Sequence, residues 1–368
     1  MDLDIDDYLN LGFAVFFAIL LILFAYQTLK KKRSAPHFLI LLSFGMLGGV
    51  FAFLDSSKLF SDPYRYFLTI QLICYGFQFF FFYLFMEELV SVKVKPMRFG
   101  IALSFLIVQV LSLILITYYR AIGESTTLLW LFSDTGYDGL ALFTVWGCAI
   151  PVYIQMYRYT KEKKPLFFAT AMLIVGLGFF IILLIDYISF FGVVPEWLNN
   201  ISDLGDILPL LGLMLFLIGY LSNVDYIYRL AHDNYLLMVT YKSGITIHSI
   251  NFENQSEIVV EENLISGLLT TINMIFSNVL HSKSHIETIA SKDATIYMTT
   301  GKYITTTILA EHTSAMLARA MARYTQEFEV RYQELLQKEE SDTSQFDNAT
   351  ELLSSVFPFL IIKKNNKN

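Results

Sequence analysis

Charge is scarce in this sequence. Of its 368 residues, 26 are Lys or Arg and 33 are Asp or Glu, so 16% are charged, against about a quarter in an ordinary soluble domain. The shortage is uneven: residues 11 to 222 are mostly apolar runs, and residues 234 to 368 read as soluble sequence. A chain short of charge over such a length needs a lipid phase to hide in. Only two cysteines occur, Cys74 and Cys148, both inside apolar runs, which excludes a disulfide scaffold and reads as buried packing. With a net charge of −7 and no basic stripe interleaved with aromatics, the footprint of a nucleic-acid binder is missing too. The start, Met1-Asp2-Leu3-Asp4-Ile5-Asp6-Asp7, is acidic and lacks the basic opening of a cleavable signal peptide. The first apolar run is therefore read as a retained helix.

Catalytic signatures are lacking as well. Thr300-Gly301-Lys302 has neither the upstream glycine nor the following Ser or Thr of a phosphate-cradling loop. His232, His248, His281, His285 and His312 are scattered, and none stands at zinc-ligand spacing with cysteine. Neither a kinase phospho-acceptor region nor an ATP-binding domain is recognisable. The expectation is a protein that is not an enzyme and needs no cofactor or metal.

What is present is a set of apolar stretches of membrane-crossing length, about 20 residues each. Seven qualify: Leu11–Leu29, His37–Leu54, Tyr66–Met86, Phe99–Tyr118, Gly139–Tyr157, Leu166–Ile185 and Ile207–Leu221. The last is the shortest and contains Pro209, tolerated near a helix start. Phe79-Phe80-Phe81-Phe82-Tyr83-Leu84-Phe85-Met86 is apolar all round, which suits lipid and not a half-wet surface. The basic residues orient the set. Lys30, Lys31, Lys32 and Arg33 follow the first span, Lys93, Lys95 and Arg98 the third, and Arg158, Lys161, Lys163 and Lys164 the fifth. The other side holds Lys58, Arg65 and Arg120. Positive residues gather in cytoplasmic loops, so the N-terminus is expected outside and the C-terminal region in the cytoplasm.

Polar residues inside the spans are the candidates for function, because lipid penalises them. Gln71 and Gln78 are two helical turns apart and share a face of the third span. They, or Gln109 and Gln155, could simply join neighbouring helices by hydrogen bonds. The sharper reading is a ligand pocket open to the outside, lined by Gln71, Gln78 and Asp186 with the outer aromatics Trp130, Tyr137 and Trp197. Span seven holds no lysine, which excludes a retinal Schiff base there. No mid-membrane series of Asp, Glu, Lys or Arg suggests a pump.

Residues 223–234 form a short polar-aromatic connector with Tyr226, Tyr228 and Arg229. Tyr235–Tyr241, the turn Lys242-Ser243-Gly244 and Ile245–Phe252 read as a hairpin. Glu261–Ser282 is a helix, with Leu264, Ile265, Leu268, Leu269, Ile272, Ile275, Phe276 and Val279 at three- and four-residue steps. His285–Ala290, Ala294–Thr300 and Tyr303–Ala310 are three further strands. A helix from Thr313 to Gln337, started by a Thr cap, and a short helix Asn348–Phe357 complete the domain. The fold class is therefore an all-α seven-helix membrane bundle over residues 1–222. An α/β domain follows over 235–358, ordered β-β-α-β-β-β-α-α around a five-stranded antiparallel sheet, and residues 359–368 are a polar tail.

That order, with Thr240-Tyr241-Lys242-Ser243-Gly244-Ile245 at the hairpin and Asn263-Leu264-Ile265-Ser266-Gly267 opening the first helix, resembles the longin domain of the profilin-like and roadblock-like group. Such Lys-Ser-Gly modules look similar to those of archaeal membrane-linked proteins. The spans resemble the seven-helix sensor region ahead of some histidine kinases. The resemblance implies binding and not chemistry: a longin-like module dimerises or holds a small GTPase. The face that would do so is the outer side of the first helix, Asn263, Ser266, Thr270, Asn273 and Ser277. Taken together, the expectation is a sensor-like membrane protein that relays a cue to a cytosolic partner, a small GTPase or a second copy of itself. A membrane-anchored trafficking scaffold and a transporter with a regulatory tail remain the alternatives.

Overall fold

The computed structural model describes residues 5–31, 35–57, 65–192, 195–222, 234–252, 264–269, 271–272, 275, 286–291, 294–339, 342–346 and 348–357. Two compact units divide the chain. One comprises residues 1–87 and 94–224, the other residues 88–93 and 225–368.

The first unit is helical: α1 (Ile5–Lys31), α2 (Pro36–Ser56), α3 (Tyr66–Val90), α4 (Pro96–Ala121), α5 (Thr127–Leu142), α6 (Ile150–Thr160), α7 (Lys163–Phe191) and α8 (Glu196–Ser222). Pro36 and Pro96 open their helices at the one place where a missing N–H costs nothing. A π-helical turn, Phe143–Ala149, joins α5 to α6 and keeps Thr127–Thr160 continuous. It sits directly ahead of Pro151, whose absent N–H releases a carbonyl one turn back, and a wider turn accommodates the mismatch. Five helices are long and apolar enough to cross a membrane: α2, α3, α4, Thr127–Thr160 and α7. Shorter apolar stretches, Asn10–Tyr26 and Ile207–Tyr220, lie within α1 and α8. Each of the seven stretches read from the sequence falls inside one of these helices.

The burial pattern also points to lipid. On α4, Gln109 and Ser112 are turned inward, while Ile107, Leu111, Ile114 and Leu115 are exposed. A helix in water has the opposite preference. Between α6 and α8 the buried phenols of Tyr153 and Tyr220 share a hydrogen bond of 2.7 Å, within a cluster of Phe38, Phe168 and Phe216 rings. Tyr220→Phe is expected to lower bundle stability by about 0.6–1 kcal/mol, read as a reduced thermal midpoint of the detergent-purified chain.

The second unit is built on an antiparallel sheet of β1 (Asn234–Tyr241), β2 (Thr246–Asn251), β3 (Thr288–Ala290), β4 (Thr295–Thr300) and β5 (Ile304–Ala310), in the spatial order β2-β1-β5-β4-β3. Central β1 is buried along its whole length, so both faces of the sheet are covered there. On one face Leu236, Met238 and Met298 pack with Leu269 of α9 (264–269). Buried on the other side of β1 are Leu237, Val239 and Tyr241. The long amphipathic helix α10 (Ala315–Arg331) contributes Met316, Leu317, Met321, Tyr324 and Phe328 to the core. Short helices α11 (Gln333–Gln337) and α12 (Ala349–Val356) follow.

Two details differ from the sequence expectation. The cap of α10 is Ser314, whose side chain accepts from the Leu317 N–H at 3.1 Å; its extended backbone (φ −129°, ψ 158°) is the geometry a capping hydroxyl needs. The helix expected to run unbroken to Gln337 is interrupted at Tyr332, which leaves helical dihedrals (φ −112°, ψ 22°). Residues 223–233 of the 223–234 connector, residue 358 and the 359–368 tail lie outside the described residues.

Glu329 of α10 reaches back to the start of β5 and accepts the N–H groups of Tyr303 at 2.6 Å and Ile304 at 3.2 Å. A carboxylate fixing two strand-end donors is worth more than a neutral bond. Glu329→Ala should cost about 1–3 kcal/mol, and hydrogen exchange at the Tyr303 and Ile304 amides should accelerate ahead of exchange in β1.

Candidate functional site

Four stripes of side chains, each at helical spacing, converge on a cavity of about 340 Å³ inside the helical unit. From α3 come Gln71, Tyr75, Gln78 and Phe79, at steps of four, three and one residues, which is one face of one helix. Asn10, Phe13 and Phe17 of α1, and Val175, Phe179 and Ile182 of α7, repeat the pattern. Pro209, Leu210 and Leu213 of α8 and Tyr137 of α5 complete the lining. The size lies at the small end of ligand pockets, which run from about 300 to 1,000 Å³.

The walls are aromatic and mutually braced. Phe79, Tyr137 and Phe179 meet edge to face, with centroids 5.7, 5.2 and 5.5 Å apart. Such pairs favour offset or perpendicular packing, so the three rings hold one another in place. The polar members among the described residues are uncharged. Asn10 donates to the Ser56 hydroxyl at 3.3 Å, which ties α1 to the end of α2. Gln78 is only 6% exposed, yet its amide has no hydrogen-bond partner among the described residues. Gln71, on the same face, has none among them either. Neither amide is among the fully enclosed unpartnered groups, so both open onto the cavity space, where a ligand or water can meet them.

The structure brings Gln71 and Gln78 together but leaves Asp186, Trp130 and Trp197 away from the cavity lining. Trp130 lies beneath the Arg120 guanidinium, 5.0 Å from its ring centre. Trp197 is 63% exposed, and Asp186 lies within electrostatic range of Asp134 and Asp138 on α5. Tyr137, the third of the expected rim aromatics, does reach the lining with Gln71 and Gln78, whereas Asn10 and Tyr75 went unremarked in the sequence. Tyr75 had a signal, since it is four residues from Gln71 and three from Gln78.

Behind the α3 face lies Gln109 of α4, fully buried, donating to the Leu72 carbonyl at 2.8 Å. This glutamine does join neighbouring helices. Asp138 is 2% exposed with one carboxyl oxygen unpartnered among the described residues. No group of three or more His, Cys, Asp or Glu able to hold a metal occurs among the described residues.

In the second unit, Ser266 differs from the outer-face expectation. It is 4% exposed and its hydroxyl bonds to the Gly244 carbonyl, clasping α9 to the β1–β2 turn. Leu264, Leu268 and Ile275 are exposed large apolar residues of this stretch. Asn263, Thr270, Asn273 and Ser277 lie outside the described residues.

No protein-family model, curated protein or solved structure matches the chain.

Proposed function

We propose that the chain is a sensor-like membrane protein whose helical unit crosses the bilayer seven times, N-terminus outside, and binds a small molecule in the α1–α3–α5–α7–α8 cavity. One observation carries this reading: Gln78, nine-tenths buried, lines that cavity with no partner for its amide among the described residues. The asymmetry of Lys and Arg between the two sets of loops supports the orientation. The C-terminal unit is read as a longin-like binding module that engages a small GTPase or a second copy of itself. Its antiparallel five-stranded sheet and element order support that reading without distinguishing the partner. A route for the relay is covalent, because α8 lines the cavity with Pro209, Leu210 and Leu213 and is the last helix before the C-terminal unit in the chain.

Filling the cavity tests the reading. Leu213→Trp places an indole where a ligand would sit, and its effect is read as the amount of small GTPase recovered by the full chain from native extract. We expect a change of roughly threefold or more, the order of typical coupling energies. Unchanged recovery, together with unchanged recovery when the helices are replaced by a single plain anchor, would leave the helical unit as an anchor only.

A further inference from the structure

Resting on the reading of the cavity as a ligand site, we infer that its ligand is an uncharged amphiphile: a flat or ring-bearing apolar body with one neutral donor–acceptor group. The walls set the body. Phe79, Tyr137 and Phe179 present braced ring faces and edges to the cavity. The amides of Gln71 and Gln78 set the polar group. Each offers an N–H pair and a carbonyl, so a carboxamide, a hydroxyl or an enone-type carbonyl with a neighbouring hydroxyl finds both a donor and an acceptor at either amide.

The described lining supplies neutral polar groups and no countercharge. Among its described residues there is no Asp, Glu, Lys, Arg or His. An ammonium or carboxylate placed there would lose its hydration and meet neither a countercharge nor a charged hydrogen-bond partner. Asp138 adjoins Tyr137 in sequence, but it does not line the cavity; with Asp134 and Asp186 it forms a separate acidic group. A site built for a cation would turn one of these acids inward. A neutral amphiphile can arrive from the bilayer, as a lipid-soluble alcohol or quinone-like molecule, or from the aqueous side as a small aromatic. The chemistry that recognises it is the same.

Three probes of equal shape separate the charge states: 2-naphthamide, 2-naphthoate and 2-naphthylmethylammonium. Binding to the full chain in phosphatidylcholine nanodiscs is measured by equilibrium dialysis against empty nanodiscs. The neutral amide should bind saturably, and each charged analogue roughly tenfold or more weakly. Gln78→Leu and, independently, Gln71→Leu should weaken the amide by about tenfold, and Leu213→Trp should abolish its binding. Using two glutamine variants guards against one failing to fold, which is checked by gel filtration. An organic extract of the detergent-purified chain, analysed by mass spectrometry, tells the sources apart. A neutral amphiphile that co-purifies with the native chain and is lost in Leu213→Trp comes from the bilayer. If it is absent while dialysis still shows binding, the supply is aqueous. A charged analogue that binds as well as the amide and is displaced by Leu213→Trp would overturn the ligand class and keep the site. Binding by none of the three, with nothing co-purifying, would overturn both the class and the reading of the cavity as a site.

Discussion

Replacing Gly212 with leucine should abolish recovery of the folded helical unit. This glycine is where α8 crosses α7, and a Cβ built on it would stand 2.6 Å from the Ala171 carbonyl oxygen and 2.8 Å from the Val175 nitrogen. Both are backbone atoms, so no rotamer change can clear them; the helices themselves must separate. Separation would strip contacts along the following turns of α8, including the Tyr153–Tyr220 hydrogen bond and the Phe168–Phe216 ring contact at 5.5 Å. In lipid, helix association rests on this close packing, because no hydrophobic driving force opposes separation. Gly212→Ala already carries the clashing Cβ, and should lower the thermal midpoint measurably while still permitting some folding. Gly212→Leu should give only aggregated chain on gel filtration. Equal yields of monodisperse Gly212→Leu and unmodified protein would show that α7 and α8 do not pack as described.

The helices were legible because their apolar runs are long, and the seven runs lie in helical segments of which five are long and apolar enough to cross a membrane. Their pairing was not legible. Gln71 and Gln78 could be placed on one face by their seven-residue spacing, but Asn10, Tyr137, Phe179 and Leu213 reach the same cavity from four other helices. No spacing rule connects residues on separate helices. Trp130 and Trp197 were chosen because aromatics near span ends suggest a rim, and that logic ignores the local alternative, a cation such as Arg120 stacking on the ring. Ser266 misled for a related reason: a polar residue in an amphipathic pattern reads as outward, yet a hydroxyl can be buried once a backbone carbonyl such as that of Gly244 receives it. The sheet was easier. Alternation and turn residues marked the five strands, and the unbroken apolar run Tyr235-Leu236-Leu237-Met238-Val239 fits a strand covered on both faces, as β1 is.

The contact between Gly76 and Gln109 should show the largest pairwise coupling in the helical unit. Gly76 of α3 faces the Gln109 side chain so closely that an added Cβ would collide with its carbonyl oxygen and lie 2.8 Å from the amide carbon. Gln109 has little freedom to move away. Its amide nitrogen is fixed on the Leu72 carbonyl, and its own backbone N is 2.6 Å from where a Cβ on Gly136 would stand. Gly76→Val should therefore cost about 3 kcal/mol, at the upper end for overpacking, because it also breaks the Leu72 bond and strands a buried amide. Gln109→Ala alone should cost about 2 kcal/mol, mostly lost packing and the lost bond. In the double variant the valine fills space the glutamine has vacated, so the combined cost should fall below the sum by about 1–3 kcal/mol. Denaturation of the four proteins in detergent measures the cycle. Strict additivity would mean that the two side chains do not touch, and the cavity wall on α3 would then lack the support from α4 that holds Gln71, Tyr75 and Gln78 on one face.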